Sequence, residues 1–155
     1  MSEPRWLSTA EQKSWRKYLT GSQLLHTQVE ADLREHFGIG LPEYEILVRL
    51  SESENRSLRM AQLAADTTMS RSRLTHSVAR MEKKGLLARC PIPEDGRGVS
   101  CAMTDAGWDL LVSAAPTHVE SVRDNLVDLL EPEEMATLGT IFTKVTRHLR
   151  AKENS

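Results

Sequence analysis

The stretch from Ser70 to Gly85 concentrates side chains that can recognise phosphates and base edges. It carries Arg71, Arg73, His76, Arg80 and Lys83, interleaved with the short hydroxyls of Ser72, Thr75 and Ser77. An arginine fork can donate two parallel hydrogen bonds to guanine O6 and N7 in the major groove, and small hydroxyls reach phosphates or base edges there. Further along, Arg97 stands between Gly96 and Gly98, with Asp95 near enough to hold its guanidinium in a fixed direction. One arginine on a thin tip suits the minor groove, where narrow A·T-rich tracts concentrate negative potential. Cys90 and Cys101 are the only cysteines, and His26, His36, His76, His118 and His148 are scattered singly. No histidine sits at ligand spacing from a cysteine or carboxylate, so neither a metal nor another cofactor is expected.

These side chains need elements to aim them. Leu74, Val78 and Met81 recur at spacings of four and three, which predicts a helix with one apolar side and the cations on the other. Ser70 is a good N-cap and Gly85 a good C′ residue. Before it, Leu58 to Met69 reads as a short extended piece and a small helix packing through Leu63 and Ala64, with a tight turn at Thr67-Thr68-Met69. That is a helix-turn-helix. After it, Leu86–Ile92 and Val99–Met103 read as two strands of a hairpin with a Gly- and Asp-rich turn between them, a wing. If the hairpin closes with Pro93 opposite Gly98, Cys90 falls opposite Cys101, which admits a disulfide and an oxidant-sensing role. Idle thiols are the default in a reducing compartment.

Long apolar stripes flank this middle. Ser8 and Glu11 form a capping box, after which Trp15, Leu19, Ser22, Leu25, Val29, Leu33 and Phe37 step by threes and fours until Gly38-Ile39-Gly40. A second helix opens at Pro42 and turns Tyr44, Leu47 and Leu50 inward. Beyond Thr104 a helix carries Leu111, Ala115, His118, Val122, Leu126 and Leu129 on its inner side, with a kink expected near Pro116. The last helix starts at Pro132, and its Met135, Leu138, Phe142, Val145 and Leu149 form a heptad-like seam. Two copies related by a two-fold axis would bury such stripes more fully than one chain can, and would match palindromic half-sites about one helical turn apart.

The length suits one domain, and no apolar run is long enough to span a bilayer. The first residues lack the basic-then-apolar layout of a secretory signal, so a cytoplasmic location is expected. The net charge of −2 conceals an asymmetry. From Ser70 to Gly98 seven Lys and Arg face three carboxylates, whereas from Asp105 to the end five face nine. A basic middle beside an acidic end implies one surface for phosphates and another for something else. No Ser/His/Asp constellation or phosphate-cradling loop supports an enzyme. A dimeric protein-binding adaptor on the same fold is the other rival, and the cationic helix and tip argue against it.

Taken together the residues resemble the MarR family of winged-helix transcription regulators over nearly the whole chain. The most specific part is Asp95-Gly96-Arg97…Cys101-Ala102-Met103-Thr104-Asp105-Ala106-Gly107, similar to the family's D-R-R…V-x-L-T-x-x-G pattern, with Gly96 in place of its first arginine, Cys101 of its valine and Met103 of its leucine. Leu63-Ala64, Val78, Met81-Glu82 and Gly85-Leu86 fall where the family places L-A, V-x-x-L-E and G-L. The resemblance implies a mainly α fold with a small β-hairpin wing (α+β). It is a single domain over residues 1–155, with a winged helix-turn-helix at 41–104 and dimerisation helices at 8–38 and 104–150. It implies a homodimer whose interface includes Leu19, Leu126, Met135, Leu138, Phe142, Val145 and Leu149. It also implies binding to a pseudo-palindromic operator in double-stranded DNA, usually as a repressor, with release by a small molecule or by oxidation. Ser70, Arg71, Ser72, Arg73, Thr75, His76 and Arg80 would meet the DNA from the helix, and Asp95 and Arg97 from the wing. An effector cleft between dimer helices and wing would draw on Trp15, Tyr44, Arg49, Asp66 and His118, an aromatic floor with a cation for an anionic aromatic such as a phenolic acid.

Overall fold

The structure, a computed structural model, describes residues 2–155. Six helices, α1 (Thr9–Phe37), α2 (Leu41–Ser51), α3 (Met60–Asp66), α4 (Arg71–Lys83), α5 (Asp105–Asn125) and α6 (Pro132–Glu153), accompany three strands, β1 (Ser57–Arg59), β2 (Leu87–Ile92) and β3 (Asp95–Met103). The fold is mainly α with a small antiparallel sheet of order β1-β3-β2. The chain divides into two compact units, His26–His118 and Met1–Leu25 with Val119–Ser155.

The unit from His26 to His118 holds the core. Leu33, Ile46, Leu47, Leu50, Leu63 and Val78 are fully buried, joined by Leu74, Met81, Leu87 and Cys101. The burial follows the predicted periodicities: Tyr44, Leu47 and Leu50 on α2, and Leu74, Val78 and Met81 on α4, all face inward. Gly38 and Gly85, both at positive φ, end α1 and follow α4. The extended piece before α3 is a true edge strand: Ser57, Leu58 and Arg59 pair with Ala102, Cys101 and Ser100 of β3. Its entry turn places Asn55 and Arg56 both at φ 54°. The Arg56 guanidinium lies 3.8 Å over the Trp108 ring, a cation–π contact that ties this turn to the start of α5.

The hairpin register differs from the expected one by a residue. Cys90 pairs with Ser100 and Arg89 with Cys101, while Ile92 opposes Asp95 and Pro91 opposes Val99. The turn is therefore the short Pro93-Glu94, and Gly96, Arg97 and Gly98 form a three-residue bulge on β3. Pro91, without an N–H, lies at this break in the ladder. One residue of slip turns every side chain to the other face. Cys101 accordingly points into the core and Cys90 to solvent, both as free thiols, so the 90–101 disulfide is not made.

The other unit contains the first part of α1, the end of α5 and α6. The Ser8–Glu11 capping box is present: Ser8 N–H donates to Glu11 Oε2 at 2.9 Å and Glu11 N–H to Ser8 Oγ at 3.1 Å. Tyr18 stacks between Trp15 and Phe142, with centroids 5.7 and 5.5 Å away. The helix α5 stays helical through Pro116 but ends at Asn125, so Leu126 begins a short 3-10 turn and Leu129 is 72% exposed rather than inward. No residue of α6 is buried, and Ile141, Val145 and Leu149 are exposed along it. No helix among the described residues is long and apolar enough to cross a membrane.

Candidate nucleic-acid interface

The Ser70 backbone is extended (φ −65°, ψ 159°), and its Oγ accepts the Arg73 N–H at 3.2 Å, which starts α4 where the sequence placed it. Arg71, Ser72, Arg73, Thr75 and His76 are all exposed on one side of the helix. No carboxylate among the described residues lies within ion-pair reach of Arg71, Arg73 or Arg97. Thr75 Oγ1 donates back to the Arg71 carbonyl at 2.9 Å, leaving its lone pairs outward. Ser77 is not on this side. It is 4% exposed, because Leu74, Ser77, Val78 and Met81 together make the i, i+3, i+4, i+7 face that packs inward.

Arg80 also departs from the expected arrangement. Its guanidinium donates to Glu43 Oε1 at 3.1 Å and reaches Ser77 Oγ at 3.4 Å, so its charge is already paired within the protein. At the wing, the Asp95 carboxylate does not hold the Arg97 guanidinium. It accepts the Arg97 backbone N–H at 3.2 Å and the Arg59 guanidinium at 3.1 Å. These two donors, the backbone amide first, hold the Asp95 carboxyl below its usual range. The bulge leaves no room beside Asp95: a Cβ on Gly98 would come within 2.8 Å of Asp95 Oδ2. Asp95 thus shapes the backbone that carries Arg97 and ties the tip to Arg59 at the start of α3, leaving the Arg97 side chain itself unpaired.

The base of the wing is fastened to α4 by Glu82. Its carboxylate takes the Arg89 backbone N–H at 2.9 Å and the guanidinium at 3.0 and 3.3 Å, and these bonds lower its pKa. Between wing and α4 lies a cleft of about 390 Å³ lined by Arg59, Arg71, Arg89 and Arg97 and by the apolar Met60, Leu74 and Val99. Of its four cations two are free and two are neutralised by Asp95 and Glu82.

The proposed effector residues are only partly gathered. Tyr44 and His118 meet with ring centroids 4.3 Å apart. Burial raises the Tyr44 pKa and lowers that of His118, whose Nδ1 has no hydrogen-bond partner among the described residues. Arg49 pairs with Glu45 at 3.8 Å and Asp66 accepts from Gln62 at 2.8 Å, each within its own helix. Trp15 belongs to the other unit and is half exposed beside Tyr18. Of the dimer residues, Leu126, Met135, Leu138 and Phe142 are half-buried, and Leu19, Val145 and Leu149 are exposed.

This geometry has known counterparts. The sequence profile of the MarR family matches residues 39–99. AbsC, a MarR family transcriptional regulator from Streptomyces coelicolor, is 42% identical, with a TM-score of 0.90 over 96% of this chain and 99% of that one. The chain belongs to the MarR family. Sco3205, another MarR family transcriptional regulator from Streptomyces coelicolor, was solved in complex with DNA. It is 41% identical with a TM-score of 0.92, covering 94% of this chain and 92% of that one. The HTH-type transcriptional regulator PecS of Dickeya dadantii is 32% identical over 108 residues, 69% of this chain and 64% of PecS, so the match spans just under two thirds of that protein. As a MarR family member the chain is a transcriptional regulator and not an enzyme.

Four residues with evident work in this MarR fold were given no role in the sequence reading: Glu43, Arg59, Glu82 and Arg89. Each acts through a partner 7 to 37 positions away, which no helical or strand period connects.

Proposed function

We propose that this chain is a sequence-specific DNA-binding repressor that acts as a homodimer on a pseudo-palindromic operator and is released by a small anionic aromatic effector. The observation that carries the reading is the set of unpaired cations on two probes of different width. Arg71 and Arg73 stand with His76 on an N-capped helix, and Arg97 stands alone on a three-residue bulge. In such a chain Ser70, Arg71, Ser72, Arg73, Thr75 and His76 face the major groove, where bidentate arginine contacts discriminate guanine. Arg97 faces the minor groove, and Gly96 leaves the wing one phosphate contact poorer than an arginine would.

Dimerisation is supported by α6, a helix of 22 residues with no buried residue and an apolar seam along it. Such a helix gains its stability from packing, and a second copy supplies the surface. For the effector, the stacked Tyr44–His118 pair offers an aromatic wall beside an unpartnered ring nitrogen.

Selection of bound sequences from random duplex DNA tests the reading. The expected product is an inverted repeat with half-sites about one turn apart, bound with a steep salt dependence. Recovery of no enriched motif, or of a single half-site bound by monomer, would overturn it. Phenolic acids should then weaken binding and alter tryptophan fluorescence.

A further inference from the structure

The recognition helix is held at its C-terminal half by two cations that reach back to one corner of the fold. Arg80 donates to Glu43 Oε1 at 3.1 Å, and Lys84, capping α4, donates from Nζ to the Gly38 carbonyl at 3.3 Å. Both partners belong to the α1–α2 corner. The second oxygen of Glu43 accepts the Gly40 N–H at 3.1 Å and so closes the start of α2. The Glu43 side chain is only 10% exposed although Arg80 is 65% exposed. A carboxylate this buried on α2 stays there because both of its oxygens are satisfied. The corner is also tight: a Cβ on Gly40 would meet the ends of the Glu30, Arg34 and Glu43 side chains, which converge there. By contrast the N-terminal half of α4 shows only its own cap and internal bonds to Arg71, Arg73 and Thr75.

We propose that Glu43 is a positioning residue for operator reading: it anchors Arg80, and through Arg80 sets the angle at which α4 presents Arg71, Arg73 and His76. Arg80 is then a strut and not a phosphate contact. This rests on the DNA-binding reading above. The physical reason is leverage: α4 spans 13 residues, or roughly 20 Å, so a small rotation at Arg80 displaces the side chains of its first turn far enough to spoil bidentate geometry.

The test uses the full chain with a labelled duplex recovered by the selection and a scrambled duplex of equal length. Glu43→Gln, Arg80→Ala and the double variant should each lose about tenfold in preference for the selected duplex, and the double should lose no more than either single. Affinity for the scrambled duplex and the slope of log affinity against log salt should stay at the wild-type values, because no phosphate contact is removed. Arg80→Lys, which keeps a cation within reach of Glu43, should retain most of the preference. Hydrogen exchange on the DNA-free chain should show the Gly40 amide and the α4 amides opening faster in both single variants. An Arg80→Ala chain whose salt slope flattens by about two per dimer, with Glu43→Gln binding as tightly as wild type or more so, would overturn the proposal and make Arg80 a backbone contact. Additive losses, or unchanged α4 exchange in Glu43→Gln, would also overturn it. The exchange result decides the strut even for a chain that fails to select any duplex, which would sink the DNA-binding reading instead.

Discussion

Removing Arg97 should change how DNA binding responds to salt by an amount that can be counted from the ion pairs. Each phosphate neutralised by a cation releases counterions, so log affinity falls against log salt with a slope of about −0.9 per contact. Only cations not already paired within the protein contribute fully. Arg59, Arg80 and Arg89 are paired with Asp95, Glu43 and Glu82, which leaves Arg71 and Arg73 in the first turn of α4 and Arg97 on the wing as the free arginines of the two tips. Lys83, also without an ion pair among the described residues, lies in the last turn of α4, away from the tip, and is not counted. Two copies carry twice that set, giving a slope of roughly −5 and a loss of about a thousandfold in affinity between about 50 and 200 mM salt. Arg97→Ala removes one cation per copy. The slope should flatten by about two, and the same salt interval should then cost only about a hundredfold. The paired control is Arg89→Ala, which deletes a cation already neutralised by Glu82 and should leave the slope where it was. Fluorescence anisotropy of a labelled operator across a potassium chloride series measures both. A slope unchanged by Arg97→Ala, or one flattened as much by Arg89→Ala, would refute the division of the cations into free and neutralised.

Cys101 is fully buried, and desolvation pushes its thiol pKa up to about 11, whereas Cys90 is exposed. A thiol reagent at neutral pH should therefore label Cys90 alone in the folded chain and both after denaturation. Peroxide should yield no intramolecular loss of two hydrogens, and finding one would show that the hairpin register slips. His118 is held below its ordinary pKa of 6.5 by burial against Tyr44. Above that value the ring is neutral folded or unfolded. As pH falls through it toward the lower folded value the unfolded chain takes up the proton first, so stability should fall. Thermal unfolding across pH 5 to 8 should show this loss in wild type and less of it in His118→Gln. Leu149→Glu places a charge on an exposed position of the α6 seam, where it should leave the fold of the chain intact and convert a dimer to monomer in sedimentation. Gly107→Ala should destabilise by about 1–3 kcal/mol or more, since its Cβ would press on the Leu86 carbonyl and Met103, and chemical denaturation measures it.

What the sequence made legible, and what it hid, divides along one physical line. Features governed by periodicity or by a single local bond were readable: the inward faces of α2 and α4, the Ser8–Glu11 box, the Ser70 cap, and the glycines at positive φ that end α1 and follow α4. The pattern near Gly85 and Thr104-Asp105-Ala106-Gly107 was readable for a related reason. Gly107 is fixed by a close approach to Leu86, and Thr104 Oγ1 bridges the Gly85 carbonyl at 2.6 Å and the Gly107 N–H at 3.1 Å. The misreadings at the wing and at Arg80 involve choices with nearly equal local propensity. A turn of two residues with a bulge and a turn of six without one use the same Pro93-to-Gly98 letters, yet they send Cys90 and Cys101 to opposite faces instead of together. Arg80 and Arg73 look alike in a helical projection, and only the presence of Glu43 on a different helix neutralises one of them. Asp95 sits two residues from Arg97 in sequence, but its nearer cation in space is Arg59, which arrives from 36 positions away by way of the β1–β3 pairing. The site is thus assembled by carboxylates that sort a uniform basic stretch into cations that hold the frame and cations that face outward, and that sorting belongs to tertiary contacts no local pattern encodes.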